Sequence, residues 1–292
     1  MFGYLSFTGD FVYKKLLGCL LLAIGNIGLL FRGILPDPVQ EIFLFLGLLS
    51  IPIFAHALVI GFFRTRDSSA YFLRLTVVAS LTQFIIYLYI SRAGPGRPEI
   101  FLNPMYILLI GFGLIYGLEI LIPCGPQRIA SMRLLEANAQ TKSDRFDVRV
   151  SSRDMIEWPD GLKVPNWPIV TLQLFGISLV VFCLVLPIFL PIEHGLFGVL
   201  LIAIFYAIEK VVSGRKAIAA FFCMLMLVAA YTYLRYRLTG EFDPIGVSIA
   251  TLFICYLSEK SRRPRRWLQY AFYAFFPFHI LVLLLIRCFF FG

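Results

Sequence analysis

Two histidines in apolar stretches are the residues of this chain best suited to proton transfer. His56 and His279 each lie inside a long run of apolar residues, whereas His194 falls between two such runs. A neutral imidazole can accept a proton from an attacking amine or hydroxyl, and so can act as a general base. Either histidine could instead hold a hydrogen bond between helices, and the sequence leaves both roles open.

Three further polar residues lie inside apolar runs. They are Asn26, Gln83 and Glu119. Because polar groups are costly in hydrocarbon, they usually pair with one another or serve a function. We therefore expect these three residues to line one cavity with His56 and His279.

Basic residues flank the apolar runs that would form this cavity. Lys15 precedes the first run, Arg64 and Arg66 belong to the turn after the second, and Arg74 lies one turn inside the third. Together with Lys14 they could bind the phosphates of a ligand. They could also serve only to reach the anionic headgroups of the membrane surface.

The cysteines give no sign of a metal or redox site. All six fall singly in or beside different apolar runs, without the close pairs of zinc sites or redox motifs. We expect no bound metal and interpret the cysteines as packing residues.

The composition places these residues in a membrane protein. Of the 292 residues, 60% are hydrophobic and 15% are charged, and the mean hydropathy is +0.85, which excludes an ordinary soluble domain. Nine stretches approach the roughly 20 apolar residues needed to cross a bilayer. They cover residues 16–34, 42–63, 70–91, 100–123, 168–191, 195–212, 216–234, 242–258 and 267–291. Lys14 and Lys15 imitate the start of a secretory signal, but no cleavage site follows, so we expect the first stretch to be retained.

The sequence thus predicts one all-α membrane domain, residues 1–292, whose orientation follows from its 26 Lys and Arg residues. With the N-terminus in the cytoplasm, most of them fall on the cytoplasmic side, as the positive-inside rule requires. The weak eighth stretch must then cross, because otherwise the basic run 260–266 would lie outside. Nine spans place the C-terminus outside. The net charge of +9 comes from basic residues that set the topology and meet anionic lipid headgroups. We therefore expect no nucleic-acid partner.

One connection is long, residues 124–166, and it falls on the cytoplasmic side. It carries a helix-like piece at 127–140 and a strand-like alternation at 145–150. Two interpretations stay open: a solvated linker, or a packed cap that docks a partner.

The predicted spans also give each polar residue a depth. At about 1.5 Å per residue from the cytoplasmic end of each span, Asn26 and His279 lie at similar depths near the bilayer centre. His56 lies closer to the cytoplasm. We therefore expect Asn26, Gln83 and His279 to meet rather than to face lipid.

The apolar runs carry several motifs in a fixed order. They are the hairpin of residues 47–75 with its Arg64-Thr-Arg-Asp turn and its Tyr71-Phe-Leu-Arg-Leu, then Asn103-Pro-Met, Gly117-Leu-Glu, the run from Glu193-His-Gly to Phe205-Tyr, and Phe272-Tyr-Ala-Phe-Phe-Pro-Phe-His. In this order they resemble the TraX family, multi-pass proteins of the bacterial inner membrane named for the N-acetylation of conjugative pilin. The resemblance covers most of the chain, with 124–166 outside it.

The first span departs from the pattern of that family. Where the family reads Asp-His-Ile-Gly, this chain reads Gly25-Asn26-Ile27-Gly28, and Ile60 stands where the family usually has Glu. Both ionisable side chains of the first-span motif are therefore absent.

The resemblance implies a membrane acyltransferase that moves an acetyl group from acetyl-CoA to a pilin-like or envelope acceptor. His279 or His56 would be the base, and Asn26 would donate a hydrogen bond to the carbonyl oxygen. The coenzyme phosphates would lie against Lys15, Arg64, Arg66 and Arg74. The absent Asp-His pair favours a different function, a non-catalytic accessory that holds a pilin-like or other membrane partner, for instance through 124–166. The sequence leaves both functions open.

Overall fold

The fold is a bundle of helices, seen in a computed structural model that describes residues 10–65, 67–92, 103–122, 155–157, 163–165, 169–190, 192, 194–212, 215–240, 244–251, 255 and 266–291. The helices within these ranges are α1 (Asp10–Leu30), α2 (Asp37–Leu48), α3 (Ser50–Arg64), α4 (Ser68–Arg92), α5 (Met105–Leu121), α6 (Ile169–Phe189), α7 (Gly195–Val211), α8 (Lys216–Thr239) and α9 (Arg266–Phe291). A 3₁₀ helix covers Pro244–Thr251, and two short strands are β1 (Met155–Glu157) and β2 (Lys163–Pro165).

Among the described residues, six helical segments are long and apolar enough to cross a membrane. They are Tyr13–Leu30, Asp37–Arg64, Ser68–Leu88, Val170–Phe189, Lys216–Thr239 and Tyr270–Phe290, with Met105–Leu121 as a shorter apolar helix. The predicted helical, multi-pass membrane protein is thereby confirmed. The count of nine spans and the orientation of the two termini stay predictions.

The second predicted span, 42–63, contains a break. Leu49 separates α2 from α3, and Pro52 follows three residues later. Because proline has no N–H, it cannot donate a hydrogen bond to the carbonyl of Leu48 one turn earlier. The Ser50 hydroxyl donates instead to the Gly47 carbonyl oxygen at 2.7 Å. The two helices still form one candidate span, Asp37–Arg64.

Side chains at two turns fix the starts of α4 and α5. The Ala70 N–H donates to Asp67 Oδ1 at 2.9 Å, so Asp67 caps α4 directly after the basic turn. The Met105 N–H donates to Asn103 Oδ1 at 2.9 Å and caps α5 in the same way. The turn capped by Asp67 lies between Arg64, the last residue of α3, and Arg74, near the start of α4.

Helices α5 and α7 cross closely at two glycines. A Cβ added at Gly111 would lie 2.3 Å from Ile202 Cδ1, and one at Gly198 would lie 2.5 Å from Ile107 Cγ2. Small residues allow such approaches between membrane helices. Four large side chains of α7 are fully buried: Phe197, Leu201, Ile202 and Phe205. Helix α7 therefore lies at the centre of the bundle.

The eighth predicted span, 242–258, differs from a regular helix where it is described. Residues Pro244–Thr251 form the 3₁₀ helix, with Ser248 and Thr251 buried. Cys255 lies deep in the bundle, because Lys14 Nζ donates to its carbonyl oxygen at 2.7 Å and its Sγ lies 3.7 Å from the Pro52 carbonyl oxygen. The other residues of this stretch lie outside the described ranges.

The long connection contains the only strands in the described part of the chain. β1 and β2 pair antiparallel, with Ile156 opposite Val164. The helix expected at 127–140 and the strand expected at 145–150 lie outside the described residues.

Candidate functional site

Asn26 of α1 and His279 of α9 form a hydrogen-bonded pair. Asn26 Nδ2 lies 2.8 Å from His279 Nε2, and His279 Nδ1 lies 2.8 Å from the carbonyl oxygen of Phe275. Because a carbonyl oxygen only accepts, Nδ1 carries the proton and Nε2 accepts from the Asn26 amide. His279 is 9% exposed. The pair thus holds a neutral imidazole with its basic nitrogen facing an amide donor, at the place where matching depth predicts contact.

The residue before Asn26 lies at the closest part of the contact between α1 and α2. A Cβ added at Gly25 would lie 2.6 Å from the Cα of Gly47, a distance that real Cβ atoms do not reach. The added Cβ would meet backbone atoms of α2, so rotation of a side chain could not make room for it. The Asp of the family motif therefore cannot be accommodated at residue 25 unless the two helices separate.

This contact gives a prediction for Gly25→Ala. We expect a loss of about 1–3 kcal/mol in stability, because overpacking moves side chains and backbone. Thermal unfolding of the purified protein in detergent measures the loss. Gly246→Ala is the control, since its added Cβ would meet only Val228 Cγ1 at 3.7 Å, an ordinary contact. Equal unfolding temperatures for Gly25→Ala and the wild type would contradict the close helix contact.

Two of the predicted phosphate-binding cations, Lys15 and Arg74, lie beside the first half of α9. Lys15 Nζ lies 5.5 Å from the centre of the Phe272 ring, and its charge repels that of Arg64. Arg74 lies 5.9 Å from the Tyr71 ring and interacts with the Tyr273 side chain, next to Phe272. We call Lys15, Arg64 and Arg74 the cationic cluster. Arg66 lies outside the described residues.

His56 belongs to a second polar group, in which it faces α7. Its Nε2 lies 3.7 Å from Glu209 Oε1, and Lys216 Nζ donates to Glu209 Oε2 at 2.7 Å. The His56 ring also meets the Phe205 ring edge-on at 5.4 Å. A carboxylate beside an imidazole can fix the orientation of its ring, as in acid–base catalysis.

Glu119 belongs to a third group with two residues of α7. Glu119 Oε1 accepts from the Tyr206 hydroxyl at 2.7 Å and lies 3.0 Å from Lys210 Nζ. Lys210 Nζ also donates to the Tyr206 oxygen at 2.6 Å and to the Ile122 carbonyl oxygen at 2.9 Å. The Glu119 side chain is 1% exposed and that of Lys210 is 9% exposed. This is a buried ion pair that joins α5 to α7.

Gln83 has a local partner. Its Oε1 accepts from the N–H of Asn103 at 3.0 Å and from Asn103 Nδ2 at 3.1 Å, which ties α4 to the start of α5. The structure therefore distributes the five residues expected in one cavity over separate polar groups. It brings together Asn26 and His279, and it gives His56, Gln83 and Glu119 different partners.

Three residues of α7 in these groups were not among the sequence-predicted site residues: Tyr206, Glu209 and Lys210. A signal was present, because Glu209 and Lys210 are charged residues at the end of an apolar run. Tyr206 and Lys210 also have the i, i+4 spacing of neighbours on one helix face. Their partners on α3 and α5 follow only from the packing of the helices.

Within the described ranges, no three His, Cys, Asp or Glu side chains come close enough together to hold a metal ion.

The comparison with protein families adds independent evidence at this point. The model of the family described as TraX protein matches residues 166–287. Residues 166–287 of the chain are therefore similar to the TraX family. The match includes His279, Glu209 and Lys210, and it covers α6, α7, α8, the 3₁₀ helix and most of α9.

The TraX match and the motif resemblance differ in extent. The family model covers less than half of the chain and leaves out the hairpin 47–75 as well as Asn26 and the cationic cluster. No curated protein and no solved structure matches the chain. The protein is thus a TraX-like, multi-pass membrane protein.

Proposed function

We propose that this TraX-like protein is a membrane acetyltransferase that takes acetyl-CoA from the cytoplasm. The Asn26–His279 pair carries the proposal, because it supplies a neutral base and an amide donor in a part-buried site. General acid–base catalysis requires a proton acceptor within hydrogen-bonding distance of the attacking group. An acyl-transfer site further requires a donor aimed at the developing oxyanion.

The position of the cationic cluster supports acetyl-CoA as the donor. Lys15 precedes Asn26 on α1 by roughly 16 Å, and Phe272 precedes His279 on α9 by roughly 10 Å, at 1.5 Å per residue. The phosphates of the coenzyme would lie against Lys15, Arg64 and Arg74. Its extended pantetheine arm would run between α1 and α9 and bring the thioester to Asn26 and His279.

The reaction uses the two residues of the pair in turn. The Asn26 amide moves from His279 Nε2 to the carbonyl oxygen of the thioester, which leaves Nε2 free to act. The acceptor nitrogen attacks the carbonyl carbon, and its proton passes to Nε2. The C–S bond then breaks, and the leaving thiolate of coenzyme A takes the proton from the imidazolium. The Nδ1–H bond to the Phe275 carbonyl fixes the tautomer throughout.

The proposal also includes the membrane that holds the protein and the acceptor of the acetyl group. Six helical segments apolar enough to cross a membrane support a multi-pass protein, and a bacterial inner membrane is the membrane we propose. A pilin-like subunit or another envelope molecule would enter from the lipid, so that its amine or hydroxyl reaches His279. Such an acceptor would connect the protein with conjugation.

A non-catalytic accessory is the second candidate, and one observation favours it. The contact of Gly25 with Gly47 excludes the Asp of the family motif, and Asn26 replaces the His. In that case the Asn26–His279 bond only holds α1 against α9. The protein would then hold a pilin-like or other membrane partner through its helices or through residues 124–166.

Binding of acetyl-CoA distinguishes the two candidates. We expect a dissociation constant in the micromolar range, corresponding to about −8 kcal/mol, when acetyl-CoA is titrated into the purified protein in a calorimeter. The combined substitution Arg64→Ala and Arg74→Ala should weaken binding more than about tenfold, since hydrogen bonds to charged groups contribute about 1.5–3 kcal/mol each.

Arg32→Ala is the matched control, because Arg32 is exposed beyond the other end of α1. It should bind acetyl-CoA as tightly as the wild type. No detectable heat with the wild type would exclude the acetyltransferase and leave the accessory function.

A further inference from the structure

Three contacts define the direction and the register of the α1–α9 interface. Lys15 lies against Phe272, Asn26 against His279, and the Arg287 guanidinium donates to the Leu30 carbonyl oxygen. Both residue numbers increase from one contact to the next, so the two helices run parallel. The first half of this interface thus connects the cationic cluster with the Asn26–His279 pair.

An aromatic pair lies between these two sites. The Phe54 and Phe276 rings are 5.2 Å apart and tilted by 59°. Phe276 is 8% exposed and lies between Phe272 and His279 on α9. These three residues have the spacing of one helix face.

The Phe54 ring of this pair packs against α1 at a glycine. A Cβ added at Gly18 would lie 3.0 Å from Ile53 Cγ2 and 3.2 Å from Phe54 Cζ, so the ring of Phe54 lies beside Ile53 against the bare backbone of α1. Gly18 lies between Lys15 and Asn26 along that helix. Phe54 and Phe276 together therefore bridge α1, α3 and α9 at a level between the cationic cluster and His279.

The ring next to His279 narrows the end of this path. Phe275 stacks on the imidazole with ring centres 4.5 Å apart and 7° between the planes, and Phe276 meets it edge-on at 6.4 Å. Aromatic rings thus lie on two sides of the His279 imidazole, and an acyl chain that reaches Nε2 has to fit beside them.

We propose that Phe54 and Phe276 form an aromatic filter that controls access to His279 and restricts the donor to short acyl thioesters. Only the restriction to short acyl groups rests on the proposed acetyl transfer. Access to the pair is a property of the packing and can be measured without any reaction. The two rings must separate for a pantetheine arm to pass, and the acyl group that follows must fit beside Phe276.

The first experiment measures access. Asn26→Cys is treated with N-ethylmaleimide in detergent, and peptide mass spectrometry assigns the label to residue 26, so the native cysteines stay in place. We expect labelling to rise several-fold when Phe276→Ala or Phe54→Ala is added. Phe276→Leu, a milder change, should give a smaller rise if the alanine variant does not fold.

Phe197→Ala is the matched control for general loosening of the bundle. Phe197 is a buried aromatic residue on α7 that meets Tyr231 of α8 at 5.4 Å, away from α1 and α9. Labelling at residue 26 should not change with it. Unchanged labelling in the Phe276 and Phe54 variants, or an equal rise with Phe197→Ala, would overturn the filter.

The second experiment measures donor preference as the ratio of kcat/KM for acetyl-CoA to that for butyryl-CoA. One methylene in an apolar pocket changes specificity by about 10–200-fold, so Phe276→Ala should lower this ratio by about tenfold or more. An unchanged ratio would overturn the restriction on acyl size. If the wild type transfers neither group while labelling still rises with Phe276→Ala, the access filter is supported and the proposed acetyltransferase is not.

Discussion

Replacing His279 by alanine is expected to lower the rate of acetyl transfer by about 10²- to 10⁴-fold, the usual effect of removing a general base. His279 Nε2 is the basic atom that faces the Asn26 amide, and its other nitrogen is held by the Phe275 carbonyl. The rate is measured with labelled acetyl-CoA and a pilin-like acceptor in reconstituted membranes. Wild-type protein in the same membranes gives the reference rate.

Two other histidines serve as comparisons for His279→Ala. His56→Ala tests the histidine beside Glu209. His194→Asn tests the histidine that precedes α7. Asparagine is chosen there because it tolerates the backbone φ of 53° at residue 194. We expect both variants to retain most of the transfer rate. Equal losses in the His279 and His56 variants would indicate a structural role for both.

Binding of acetyl-CoA distinguishes a variant that has lost only its catalytic group from one that has lost its structure. The cationic cluster lies about 10 Å from His279 along α9, so His279→Ala should bind acetyl-CoA as the wild type does. A variant that loses binding together with transfer would have lost its structure. In that case the pair would be a helix–helix contact, and the accessory function would gain support.

Depth in the membrane was a useful guide to the Asn26–His279 pair. Both residues lie in spans that start from the cytoplasmic side in the predicted topology, so counting residues places them at one level. Which helices become neighbours at that level does not follow from counting. The structure places α1 beside α9, and it separates Gln83 and Glu119 from the pair by binding each to another helix.

The residues of α7 were missed for the same reason. Glu209 and Lys210 are adjacent in the chain, yet they contact different helices, because successive residues point about 100° apart around a helix. Glu209 meets His56 of α3, and Lys210 meets Glu119 of α5. Sequence periodicity gives the face of a residue but does not give the helix opposite that face.

Local chemistry was visible in the sequence where it depends on a few neighbouring residues. Pro52 explains the break between α2 and α3, and Asp67 explains the start of α4 after the basic turn. The clash at Gly25 was not visible, since it depends on Gly47 of a neighbouring helix. Packing therefore excludes the family's Asp at residue 25. The family's His would stand in place of Asn26, which already faces His279.

The buried ion pair of α5 and α7 should contribute strongly to stability. Removing one partner leaves an uncompensated charge in the bundle, which typically costs about 3–5 kcal/mol. Lys210→Met leaves the Glu119 carboxylate, which is 1% exposed, without its cation. We expect a loss of this size for Lys210→Met, measured as the free energy of unfolding in mixed detergent micelles.

A second substitution at Glu119 should restore most of the stability lost in Lys210→Met. In the combination of Glu119→Gln with Lys210→Met neither of these two residues carries a charge, and the amide oxygen can still accept from the Tyr206 hydroxyl, which lies 2.7 Å from Oε1 in the wild type. Lys216→Met is the control, because the Lys216 side chain is 24% exposed and pairs with Glu209 near the end of α7. Partly exposed pairs contribute about 0–1 kcal/mol. If Lys210→Met were no less stable than Lys216→Met, the Glu119 carboxylate would have to be neutral or reached by water, and the pair would not join α5 to α7.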